Sequence, residues 1–193
     1  NTTAGISVPR IYSKKVHTST IRFMVEQGYL EQVKRGLYRL PPEQLPQHEF
    51  FTHDYFDAAV AIPNGVFCLT TALFYHGLTT SQPTAFDMAI PPTHRTPKFK
   101  SISVRIYHFN EPYFSRDVET IKIKIAPIKI YGKEKSVCDA VRLRHLIGKN
   151  IAMEGLNTYM RAPKKDINKL VQTAAVCKVK CFVEPALKAM TGF

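Results

Sequence analysis

A chain of 193 residues with 45% hydrophobic content is long enough to bury one large core or two small ones, which excludes a disordered chain. Four cysteines are too few for a disulfide scaffold of this size, and no apolar run approaches the roughly eighteen residues that cross a bilayer. The net charge of +12 sits at the two ends: seven cations against two anions in residues 1–40, three against five in 41–100, and seventeen against eight in 101–193. Such a field favours a polyanionic partner, with DNA, RNA and an acidic membrane surface all compatible. The N-terminus carries no export pattern, so reduced thiols and a cytoplasmic location are expected.

Along residues 8–16 the apolar Val8, Ile11, Tyr12 and Val16 recur at three- and four-residue spacing. Ile21, Met24 and Val25 repeat the pattern in residues 18–27, so two short helices sharing one core are predicted. Gly28 stands where a left-handed residue ends the second helix. Residues 30–33 are then expected to pair with 37–40 across Lys34, Arg35 and Gly36. Helix, turn, helix and basic ribbon is the layout of a winged helix-turn-helix. It is assigned to residues 1–45, and because the sequence opens at Asn1 rather than methionine, it is expected to lack its first helix. Pro41, Pro42, Leu45 and Pro46 form a stiff linker, placing the boundary near Gln47.

Residues 46–193 are predicted to form a mixed α/β domain with a helical C-terminal third, which makes the whole chain α+β. Helices are expected over 50–61 and 70–76, the latter ending at Gly77. The period then changes to that of about four strands, over 85–90, 101–108, 119–125 and 128–131, with Pro91, Pro92 and Pro97 separating the first two. Ser136 reads as the cap of a helix carrying Val137, Ala140, Val141 and Leu146 on one side. Further helices follow over 152–160, 166–176 and 185–190.

In a winged helix the second helix enters the major groove. Turning Ile21, Met24 and Val25 inward puts Ser19, Arg22, Phe23 and Glu26 outside, with His17, Thr18 and Thr20 at the N-terminal end. Arg22 is the candidate for guanine because its fork reaches two acceptors at once, and Phe23 could meet a thymine methyl or equally pack against the wing. Lys34, Arg35 and Arg39 on the ribbon fit backbone contacts, weighed against a merely solvated hairpin tip. Lys14 and Lys15 at the end of the first helix are supporting contacts, favourable there even without DNA. The basic C-terminal domain is expected to add phosphate contacts of its own.

No catalytic, metal or cofactor site emerges. Cys177 and Cys181, four apart, would share a helical face, but no third ligand is near in sequence, and buried thiols are the plainer reading. Residues 132–136, GKEKS, lack the first glycine and the Lys-Ser/Thr spacing of a phosphate-binding loop. Asp54, Asp57, Asp87 and Asp139 would serve a nuclease only if they converged in one cleft, and His76 before Gly77 reads as a helix C-terminal residue. A nuclease or nucleotide-processing enzyme, and a protein- or RNA-binding adaptor, stand as rival readings.

Residues 17–40, HTSTIRFMVEQGYLEQVKRGLYRL, resemble the N-terminal signature of the AbiEi antitoxins, bacterial transcriptional regulators of type IV toxin–antitoxin operons. Residues 64–80, NGVFCLTTALFYHGLTT, and 130–144, IYGKEKSVCDAVRLR, are similar to two blocks of that family's C-terminal domain. Residues 6–15 match the family's usual sequence poorly. The resemblance implies an autorepressor that binds double-stranded DNA at repeats in its own promoter, with a C-terminal domain required to neutralise a nucleotidyltransferase-like toxin. Direct contact with that toxin is not required by the family's type IV logic.

Overall fold

The computed structural model describes residues 17–34, 36–39, 50–95, 102–122 and 127–191. Two compact units result: Asn1–Pro63 with Pro97–Val104 and Lys122–Ile128, and Asn64–Thr96 with Arg105–Ile121 and Lys129–Phe193. The expected linker at 41–46 lies outside the described residues. So do the predicted first helix with Lys14 and Lys15, and Arg35.

In the first unit, α1 spans Thr18–Glu26. Gly28 follows at φ +73, with Gly28 N–H donating to Val25 and Tyr29 N–H to Met24, so the last turn's carbonyls are satisfied by a left-handed cap. Strands β1 (Glu31–Lys34) and β2 (Leu37–Arg39) then pair antiparallel, with Glu31 opposite Arg39 and Lys34 opposite Leu37. The hairpin is tighter than expected: Lys34 pairs within the strand and only residues 35 and 36 form the loop. A register shift between Gln32 and Lys34 accommodates this, and Gly36 takes φ +80. Helix α2, Phe50–Ala61, matches its predicted bounds and packs beside β1, with Tyr55, Ala58 and Ala61 buried.

The second unit is built on a five-stranded mixed sheet, ordered β5-β4-β3-β7-β6, from β3 (Val66–Phe67), β4 (Phe86–Ile90), β5 (Val104–His108), β6 (Val118–Lys122) and β7 (Pro127–Tyr131). Short β3 is the central strand that periodicity could not show, since two residues hold no alternation. It runs antiparallel to β4 and parallel to β7, with Phe67 opposite both Met88 and Ile130.

Around the sheet's helical side lie α3 (Leu69–Tyr75), α4 (Lys133–Arg142), α5 (Arg144–Ile147), α6 (Lys149–Arg161), α7 (Ile167–Val176) and α8 (Lys180–Thr191). Helix α4 packs against α3, α6 and α7, and eight of its ten residues, Glu134 to Val141, are buried. Three sequence expectations fail here. Gly132, not Ser136, is the N-cap of α4; Ser136 lies inside the helix, its hydroxyl donating to the carbonyls of Gly132 and Tyr131. Leu146 does not continue the α4 face, because the helix stops at Arg142 and Leu146 stands exposed on α5. Helix α8 starts five residues before Pro185, which its middle tolerates at the loss of one backbone hydrogen bond.

Candidate nucleic-acid interface

Helix α1 buries none of its residues. Ile21 and Val25 are half-buried, but Met24 is exposed, so the expected three-residue inner stripe is reduced to two. His17 is the extended residue that opens the helix, its carbonyl accepting from the amides of Thr20 and Ile21, and its ring Nδ1 lies 2.8 Å from the Ser19 hydroxyl. Thr18, Ser19, Thr20 and Arg22 are exposed, as is Glu26 at the far end of the helix. Phe23 is 56% exposed, and with Met24 and Tyr29 it adds an apolar strip that the inward assignment of Met24 had hidden. On the ribbon, Lys34 closes β1 and Arg39 closes β2. The structure therefore gathers the candidates from His17 to Phe23 on one short exposed helix and places Lys34 and Arg39 on the hairpin after it. Those at 14, 15 and 35 lie outside the described residues.

In the second unit, the acids weighed for a nuclease have structural partners. The Asp87 carboxylate accepts from the Thr70 amide at the start of α3, from Arg105 Nε at 3.0 Å and from the Tyr107 hydroxyl, while the Thr71 hydroxyl receives the Asp87 amide. Burial raises the Asp87 pKa against the opposing pull of Arg105 and Thr70, and burial beside Asp87 pushes the Tyr107 phenol up to about 12. Asp139 is fully buried between the Lys135 ammonium and Arg142, whose Nη2 is 2.6 Å away. Lys135 also lies 4.3 Å over the Tyr131 ring and Arg142 4.5 Å over that of Tyr113, so both cations trade water for a carboxylate and aromatic faces. Asp57 is buried as well.

A third cluster joins α4, α6 and α7. Lys169 bridges Asp117 at 2.7 Å and Glu134 at 2.9 Å, and the Tyr159 hydroxyl donates to Glu134 at 2.6 Å. Burial opposes the Glu134 charge, but the bonds from Tyr159 and Lys169 outweigh it and lower the carboxyl pKa. Asp117 sits at φ +53 and crowds Gly132 so closely that a Cβ there would lie 2.6 Å from Asp117 Oδ2.

The two blocks at 64–80 and 130–144 meet in this unit through α3 against α4 and through His76 Nε2, 2.7 Å from the Tyr131 carbonyl oxygen. Burial lowers the His76 pKa. The cysteine expectation is corrected: Cys177 caps α7 and is buried, whereas Cys181 lies in α8 and is exposed, so the pair shares no helical face. Among the described residues, no group of three or more His, Cys, Asp or Glu side chains is placed to hold a metal ion, and no helix is long and apolar enough to cross a membrane.

No family model matches the chain, and no curated protein matches it either. Among solved structures, the crystal structure of the RV2827C protein from Mycobacterium tuberculosis is similar over 82% of this chain, with a TM-score of 0.50 at 13% identity. The chain spans 63% of that protein's length. At this identity the likeness is one of fold: a mixed α+β architecture.

Proposed function

We propose that this protein is a DNA-binding transcriptional regulator of the AbiEi antitoxin type, reading repeats in its own promoter through α1 and the β1–β2 ribbon as the recognition helix and wing of a winged helix. The observation that carries the reading is that α1 spends no residue on a core: its polar first turn and Arg22 are exposed, and a left-handed cap leads at once into a hairpin of basic sequence. Such a helix fits the major groove, its first-turn amides directed at phosphate and Arg22 at guanine. His17, Thr18, Ser19, Thr20 and Phe23 complete the reading face. Lys34, Arg35 and Arg39, with Lys14 and Lys15 in support, supply affinity independent of sequence. The partners are double-stranded DNA and, functionally, a nucleotidyltransferase-like toxin in the cytoplasm. No cofactor or catalytic step belongs to this reading.

Footprinting on the DNA upstream of the reading frame, followed by titrations of the protected duplex and a scrambled one, tests it. Arg22→Ala is expected to weaken the specific duplex by about 1 to 3 kcal/mol and relax preference at one position, whereas Lys34→Ala weakens both duplexes alike. Equal losses on both duplexes for both variants would take Arg22 out of the reading role. Absence of any protected region would remove the function itself.

A further inference from the structure

The thiols that the sequence spacing separates are brought together elsewhere. Cys138, in the middle of α4, and Cys177, at the cap of α7, are both fully buried in one core where these helices pack. Cys138 Sγ lies 3.9 Å from the Leu170 carbonyl on α7, and Cys177 Sγ lies 3.9 Å from Asp139 on α4, so each sulfur reaches across the seam. Each thiol is also the other's hydrogen-bond partner.

We propose that Cys138 and Cys177 form an oxidative modification site: a thiol pair that hydrogen peroxide, or another small two-electron oxidant, closes into a disulfide fastening α7 to α4. Cys177 is the attacking sulfur. The bond it accepts from Cys138 lowers its pKa despite burial, and Lys135 and Arg142 act in the same direction, while Asp139 opposes them. The Cys138 proton is held more firmly, because its thiol donates to Cys177 and is buried. In the first step the Cys177 thiolate attacks one peroxide oxygen, the O–O bond breaks, and hydroxide leaves to take up the released proton as water. Cys138 then attacks the sulfenic sulfur; the S–S bond forms, the S–O bond breaks, and a second water departs. The two thiols together lose two electrons and two protons, and the peroxide is reduced to water.

The surroundings accommodate this change. Asp139 loses the Cys177 S–H donor but keeps Lys135 and Arg142, so no buried charge is left without a partner. Cys68 is buried near Asp87 and Asp139, and its thiol is held well up by burial first and by those carboxylates second, which disfavours it as a competitor. Cys181 is the exposed thiol and the natural internal control.

The test treats the full-length protein with hydrogen peroxide, labels remaining thiols with maleimide after denaturation, and maps peptides by mass. The expected product has lost two hydrogen masses and contains a Cys138–Cys177 linked peptide. The link persists in Cys181→Ser, disappears in Cys138→Ala, and reverts with dithiothreitol, while Tm rises by several degrees in the oxidised form. The wild-type map decides even where a core variant fails to fold. Full maleimide labelling of Cys138 and Cys177, with oxidation confined to Cys181 or to links between chains through it, would overturn the proposal.

Discussion

Helices α1 and α4 are of almost the same length, nine and ten residues, and both carry charge, yet α1 buries nothing and α4 buries eight residues. In α1 the cation Arg22 stands in water, at little cost and with its donors presented outward. In α4 the cation Lys135 is wholly enclosed and survives only because Asp139, Tyr131 and Phe109 replace its hydration. The same residue class therefore serves recognition in one region and cohesion in the other. Burial is what tells them apart.

That contrast is most sharply tested at Asp139. Replacing it with asparagine leaves Lys135 enclosed without a counter-charge, and urea denaturation is expected to show a loss of about 3 to 5 kcal/mol. Arg22→Ala is expected to move stability by no more than about 0.5 kcal/mol while weakening DNA binding as above, and an Asp139→Asn variant as stable as the parent would erase the distinction. Gly132→Ala should come next. The new methyl must displace Asp117 and Glu119, for an expected loss of about 1 to 3 kcal/mol in the same measurement.

The acid limb of stability offers a finer probe of the second unit. Glu134 has a folded pKa below its ordinary 4.5, so its stabilisation is present above that value and fades as pH falls through the folded pKa. Asp87 has the opposite sign: burial raises its pKa, and stability is lost as pH rises through the folded value. Tm of Glu134→Gln should therefore lie below wild type near neutrality and converge with it on acidification under pH 4.5. A constant gap would show that the glutamate acts by shape alone. The smallest effect concerns Lys178, which follows α7 at φ +58 in the position that glycine takes after α1 and α3. Lys178→Gly is expected to raise stability by about 0.5 to 1 kcal/mol, read as a shift in the denaturation midpoint.

Much of the helical framework was legible locally. The three- and four-residue spacing located α1, α2, α6 and α7 to within a few residues, and Gly28 and Gly77 marked two helix ends where φ is indeed left-handed. Strand bounds were blurred where the chain leaves the sheet, as at 101–103, because β-branched content outlasts the pairing. Ser136 misled because a serine after a turn looks like a cap, while the true cap, Gly132, is demanded by Asp117, fifteen positions away and invisible to any local rule.

By itself, then, the chain determined the order of helices and strands, the turn chemistry and the placement of charge at its ends, since these depend on near neighbours and on composition. Only the tertiary structure decided that β3 would be the sheet's central strand, that Lys135 and Asp139 would be interior, and that Cys138 would meet Cys177. Each of those outcomes rests on contacts between segments far apart in the chain, whose partners no periodicity records, and on the loss of water that only packing imposes.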